Sequence, residues 1–222
     1  MGEIPIGGEV FVHDFEHGPS LATLEVVDRK ISPKERKLQF VFWRWQSHAK
    51  KGKEKKILAA EEVLFTEDRL SKYTVNQLQL KKVWSLEVKD GKAYFSEQAP
   101  KGIKTHRENL KGRVFVPPVL AYFLIEPKTI EQLQKNKPLV VKIADVQALQ
   151  TKTFELTKYN TLIVDEKNIL VVKMSDSGIQ RYFNKPIYFA IDSKQRRLLE
   201  YLGAVLPTKN KSFQWGSIVY KY

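Results

Sequence analysis

Cysteine is absent from the chain, which excludes disulfides, thiolate nucleophiles and thiolate metal ligands. Long apolar runs are missing as well. The longest, Val114 to Ile125, is interrupted by Pro117 and Pro118, whereas a membrane-spanning helix needs about 20 apolar residues. The opening Met-Gly-Glu-Ile-Pro-Ile-Gly-Gly has neither the basic nor the apolar segment of a signal peptide. Two readings of that start stand side by side: a cytosolic protein, or an exported domain whose leader has been replaced by an added Met-Gly. Ile6 stands where the myristoylation pattern needs Ser or Thr.

The signatures of catalysis are missing too. There is no Gly-x-Ser-x-Gly elbow and no His-Glu-x-x-His pair, and Gly7-Gly8 lacks the Lys-Ser or Lys-Thr of a phosphate loop. His13 and His17, read as one strand, lie about 13 Å apart and are too distant to share a metal. A glycosidase needs two facing carboxylates; Asp14 with Glu16, or Glu61 with Glu62, are available, but nothing in the sequence brings them together. No catalytic residue, metal ligand or cofactor is therefore assigned, and the chain is expected not to be an enzyme.

What is present is β patterning. Four Trp, nine Tyr and twelve Phe in 222 residues, with 42% hydrophobic content, are enough for a packed core. Leu38, Phe40 and Phe42 alternate with Val41, Trp43 and Trp45, so both faces of that strand are apolar and both are expected to be covered. Asp90-Gly91 predicts a type I′ hairpin that pairs Val88 with Ala93 and Leu86 with Phe95. Further strands are expected at 9–15, 21–27, 57–65, 70–78, 139–146, 153–158, 169–174, 187–191, 198–205 and 215–220, with a turn at Gly18-Pro19. Helix is expected only at 118–124, 128–135 and, more weakly, 177–183. The fold class is mainly all-β, a curved antiparallel meander forming a barrel or roll, with a short helical connector near 118–136. Residues 1–222 read as one domain, with halves 1–113 and 139–222 as its possible subdivision.

The net charge of +13 is concentrated. Between Arg29 and Lys56 there are eleven Lys or Arg against Glu35 and Glu54. The loop from Gln46 to Lys56 holds Lys50, Lys51, Lys53, Lys55 and Lys56, the candidate polyanion-binding residues. Lysine without arginine serves bidentate phosphate or base recognition poorly, so a solvated hairpin tip is the expected role. Trp43 and Trp45 share a strand face and, with Tyr122, are the candidate ligand-binding residues of a curved sheet; core filling is their alternative use. Asn210-Lys211-Ser212 fits the glycosylation pattern, which has meaning only in a eukaryotic host.

From 114 to 206 the order of elements carries a resemblance. Val116-Pro117-Pro118 leads through an apolar helix to the strand from Lys137 to Ile143. Ser175 to Ile179, Pro186 to Asp192 and Arg197 to Gly203 follow. This resembles a class of uncharacterised bacterial exported antiparallel-β proteins, a domain of unknown function. The resemblance implies a curved sheet or roll holding an apolar ligand, in the periplasm or cell envelope of a Gram-negative bacterium. The expected function is a non-enzymatic exported binding or carrier module, its partners an apolar small molecule or lipid and an envelope protein. The alternative is a basic β-barrel, cytoplasmic in location, that binds nucleic acid or an anionic membrane surface through the 46–56 loop.

Overall fold

Asp90 and Gly91 take φ values of 51° and 69°, the left-handed pair that a type I′ turn requires. In the computed structural model Val88 pairs with Ala93, Leu86 with Phe95 and Glu87 with Tyr94, the register expected from the alternation. The same geometry recurs without glycine at Glu67-Asp68 (51° and 60°) and Asp165-Glu166 (48° and 63°). The structure describes residues 5–14, 16–48, 52–177, 184–209 and 212–222; at 12–14, 16–19, 47–48, 52–53, 207–209 and 212–214 it describes backbone alone.

The first eight strands are β1 (Gly7–Asp14), β2 (Glu16–Ser32), β3 (Glu35–His48), β4 (Gly52–Thr66), β5 (Arg69–Gln77), β6 (Lys82–Lys89), β7 (Lys92–Ala99) and β8 (Gly102–Asn109). A two-residue strand β9 (Val114–Phe115) then leads into helices α1 (Pro117–Leu124) and α2 (Pro127–Gln134). The remaining strands are β10 (Leu139–Asp145), β11 (Gln150–Val164), β12 (Lys167–Asp176), β13 (Ile187–Asp192), β14 (Arg197–Lys209) and β15 (Ser212–Lys221). All fifteen form one sheet, in the order β8-β7-β6-β5-β4-β3-β2-β1-β15-β14-β13-β12-β11-β10-β9. Every ladder is antiparallel except β9 with β10. The two meanders are thus joined in mid-sheet, where β1 pairs with β15 from Gly7 opposite Lys221 to Val12 opposite Gly216.

That seam is tight. A Cβ on Gly216 would stand 2.0 Å from the Phe11 carbonyl oxygen, so only glycine lets the two backbones approach so closely. The sheet curls around one continuous core drawn from both meanders and both helices, including Phe40, Val63, Phe95, Leu120, Leu170 and Ile191. It does not close by a backbone ladder. Its edge strands are β8 and β9, and Glu108 of β8 instead accepts the Thr151 N–H of β11 at 2.9 Å. The prolines at the start of each helix occupy positions whose N–H has no intrahelical partner. From that start α1 buries Val119, Leu120 and Leu124, and α2 buries Ile130 and Leu133.

Several expectations need correction. The first reversal lies between Asp14 and Glu16, so Gly18-Pro19 falls inside β2, where register shifts near Val10 and Phe11 already break the ladder. His13 consequently sits opposite His17 on the neighbouring strand, not far along the same one. The second face of β3 is only partly covered: Leu38, Phe40 and Phe42 are buried on the first, whereas on the second Val41 and Trp43 are half-buried and Trp45 is 59% exposed. Edge strand β8 was not foreseen, because Gly-Ile-Lys-Thr-His-Arg-Glu-Asn has a single large apolar residue, Ile103, which is itself exposed. Of the expected 177–183 helix, residues 178–183 lie outside the described residues, as do Asn210 and Lys211.

Leu86 is fully buried against the sheet interior. Leu86→Ala is expected to cost about 2–5 kcal/mol through lost burial and the cavity left behind. The check is a lowered midpoint in urea unfolding with an unchanged slope; a shift under about 0.5 kcal/mol would place that face outside the core.

Candidate ligand cavity

Strand β4 alternates small and branched apolar residues on its inward face, and a carboxyl interrupts them. Ala59 and Val63 are fully buried, and Glu61 between them is only 8% exposed. Glu61 pairs across the ladders with Phe40 of β3 and Val75 of β5, so it cannot swing to the outer face without slipping the register of both neighbours.

Two adjoining, partly open lobes of a cavity in the concave face of the sheet share this carboxyl in their walls. The larger, of about 220 Å³, runs between Tyr73, Leu120, Ile143, Phe154, Met174 and Ile187. The smaller, of about 90 Å³, lies under α1 among Phe40, Phe42, Ala121, Tyr122, Ile218 and Tyr220. Glu61, Pro117, Phe189, Tyr201 and Val205 line both lobes and so form the neck between them. Phe189 and Tyr201 stand against one another there with ring centroids 5.4 Å apart. Tyr201 holds its place by donating its hydroxyl to the Ala204 carbonyl at 2.9 Å. The ring lies over Gly203, where a Cβ would meet the phenol oxygen at 2.6 Å.

The electrostatics follow from burial. Loss of water pushes the Glu61 carboxyl up to about 7, partly opposed by the hydrogen bond it accepts from the Tyr73 phenol. Burial also raises the phenols of Tyr73, Tyr122, Tyr201 and Tyr220 above their ordinary value, so all stay neutral donors at physiological pH. The Tyr122 hydroxyl is buried with no hydrogen-bond partner among the described residues. Asp145, in the larger lobe, is tied to Lys152 at 2.7 Å and to the Ala148 N–H at 3.0 Å. The neck therefore offers one carboxyl free of any described cation, within apolar walls. Such a group can hold a polar atom or move one proton; among the described residues no Ser, Thr, His or Lys side chain lines either lobe. Among the described residues, no three His, Asp or Glu side chains gather as a metal site.

Of the residues expected to contact ligand, Tyr122 is on the cavity wall. Trp43 and Trp45 are not: they meet edge to face at 5.2 Å on the outer surface. There the Lys55 ammonium lies 4.6 Å over the Trp43 ring while pairing with Glu25 at 2.6 Å. Lys56 is exposed. Lys50, Lys51 and the side chain of Lys53 lie outside the described residues. Glu61 was visible in the sequence only as half of a possible carboxylate pair with Glu62; its adjacency puts the two on opposite faces, since side chains alternate along a strand.

An acid whose pKa is raised by folding contributes stability below its unfolded value and loses it as pH rises through the folded one. For Glu61 that window runs from 4.5 to about 7. Unfolding free energy is expected to fall by about 3 kcal/mol across it on this account. Glu61→Gln keeps an acceptor for Tyr73 and should flatten that slope, leaving the variant more stable than wild type above neutrality. Denaturant titrations across the pH range check this, and parallel curves for the two proteins would contradict it.

No family model matches the chain, and no curated protein matches it. Among solved structures it is similar to the crystal structure of a β-barrel-like protein of a domain of unknown function, DUF1849, from Brucella abortus. The TM-score is 0.50 at 11% identity, over 100% of this chain and 96% of that one. At that identity the likeness concerns fold alone: a mainly β, barrel-like architecture, here an antiparallel sheet that stays open at its edges.

Proposed function

We propose that the protein is a non-enzymatic binding or carrier module whose cavity holds an apolar small molecule or lipid chain. The observation that carries this reading is the two-lobed cavity itself, walled by aliphatic and aromatic side chains with one carboxyl at its neck. Small-molecule sites are commonly built this way, largely apolar with few polar groups. A location in the bacterial envelope belongs to the same proposal, and no described helix is long and apolar enough to cross a membrane. Binding of a neutral naphthyl fluorophore should be saturable. Val205→Phe, which fills the neck, should weaken it by about tenfold or more, a loss of roughly 1.4 kcal/mol. Trp45→Ala, on the outer face, should leave it unchanged. Equal binding by wild type and the Val205 variant would reject the cavity as the site.

The second reading is capture of an anionic surface by the 46–56 segment, which is not the expected loop but largely the paired ends of β3 and β4, with Lys55 opposite Trp45 and Lys56 opposite Arg44. It draws on the exposed Trp45 and Ile57 beside Lys55 and Lys56. Against it, Lys55 is already engaged by Glu25 and Trp43. Replacing Lys50, Lys51, Lys53, Lys55 and Lys56 by Ser should leave binding to oligonucleotides and anionic vesicles equally weak at about 0.15 M salt, where exposed charges are screened beyond roughly 8 Å. Salt-sensitive binding that vanishes in the variant would favour the second reading instead.

A further inference from the structure

A carboxyl in a core position is costly unless something compensates it. Glu61 receives one hydrogen bond, from Tyr73, but among the described residues it has no ion-pair partner, although the chain carries 38 Lys and Arg against 25 acids. Ion pairs form throughout the rest of the molecule, as at Lys82 with Glu97 and Lys152 with Asp145. At the neck the cationic counterpart is missing, and the space beside the carboxyl is cavity. The surfaces next to that space are the rings of Phe189 and Tyr201, whose faces attract cations.

Resting on the cavity reading above, we propose that the neck recognises a protonated amine carried on an apolar body, the ammonium pairing with the Glu61 carboxylate beside the Phe189 and Tyr201 rings while the body fills the larger lobe. Three features converge on this. The carboxylate supplies the charge, and desolvation makes the pairing stronger than it would be in water. The aromatic walls tolerate a cation where aliphatic ones would not. The Tyr73 phenol, donating to the carboxylate, leaves the remaining acceptor sites of Glu61 for the ligand.

Protonation of Glu61 supplies the test. The groups facing it are the phenols of Tyr73 on β5, Tyr201 on β14 and Tyr220 on β15. The Asp145 carboxyl, paired with Lys152, lines the larger lobe near Tyr73, and the Tyr122 phenol on α1 lines the smaller one beside Arg36 and Asp28. All four phenols are shifted upward by burial and stay neutral, so Glu61 changes charge alone among the neck residues as pH passes about 7. Calorimetry would compare octylamine, octanol and octanoic acid on the full chain. At about pH 8.5, with Glu61 ionised, the amine should bind about tenfold or more tighter than the alcohol; at about pH 5.5 that gap should shrink. In Glu61→Gln, shown to be folded by circular dichroism, the amine advantage should vanish at both pH values while octanol affinity stays within about twofold of wild type. Octanol or octanoic acid binding as well as the amine at the higher pH would overturn the amine assignment and leave the cavity reading standing. Failure of all three to bind would overturn both.

Discussion

The architecture depends on one long-range pairing. β1 and β15, from opposite ends of the chain, lie side by side from Gly7 to Val12, extended by the Ile6 N–H to the Lys221 carbonyl at 3.0 Å and by an ion pair between Lys221 and Glu9. Without it the chain would be two separate meanders, each with an apolar sheet face and an additional open edge. With it the inward rows of β3 to β5 face those of β10 to β14, and a space lined by both comes into being. Glu61 and Tyr73 belong to the first meander, Phe189 and Tyr201 to the second, so the neck exists only when the seam is made. Pairing of such high sequence separation must overcome loop-closure entropy before it contributes, which places the fold among the slower formers.

The interior shows how a β core accommodates a polar atom. Two other buried acids are satisfied locally: Glu97 accepts from the Trp84 indole at 2.9 Å and the Lys82 ammonium at 2.7 Å, and Asp192 accepts the turn N–H groups of Lys194 and Gln195. The Lys82 hydrogen bond comes first among the causes that lower the Glu97 pKa, whereas water loss dominates at Glu61 and raises it. Two glutamates on inward strand faces thus carry opposite shifts, and the difference is the presence of a lysine.

Much of the fold was legible because alternation and turn chemistry agreed. The Asp90-Gly91 hairpin was readable to the residue, since the turn type and the burial of Leu86 and Phe95 demand the same register. The helices at 117–124 and 127–134 were readable from their prolines and apolar spacing. Three things were not. β8 lacks an apolar face, so no periodicity marks it. The Glu67-Asp68 and Asp165-Glu166 turns carry left-handed residues without the glycine that would advertise them. The site was hidden for a different reason: a lone Glu among apolar neighbours, in Ala-Ala-Glu-Glu-Val, looks like an ordinary amphipathic strand, and only tertiary enclosure distinguishes Glu61 inside from Glu62 outside. Trp43 and Trp45 drew attention by size, yet their parity puts them on the side away from Phe40 and Phe42.

The polarity that conceals β8 has a consequence for self-association. An open sheet presents unpaired backbone donors and acceptors along its last strand, and a second copy could extend the ladder there. Lys104 and Arg107 place two exposed positive charges on that margin, so two such margins brought together meet like charge. The opposite margin, β9, is only two residues long, and one residue beyond it comes Pro117, which has no N–H to offer. Both open margins of the sheet thereby disfavour extension of the ladder by a second copy.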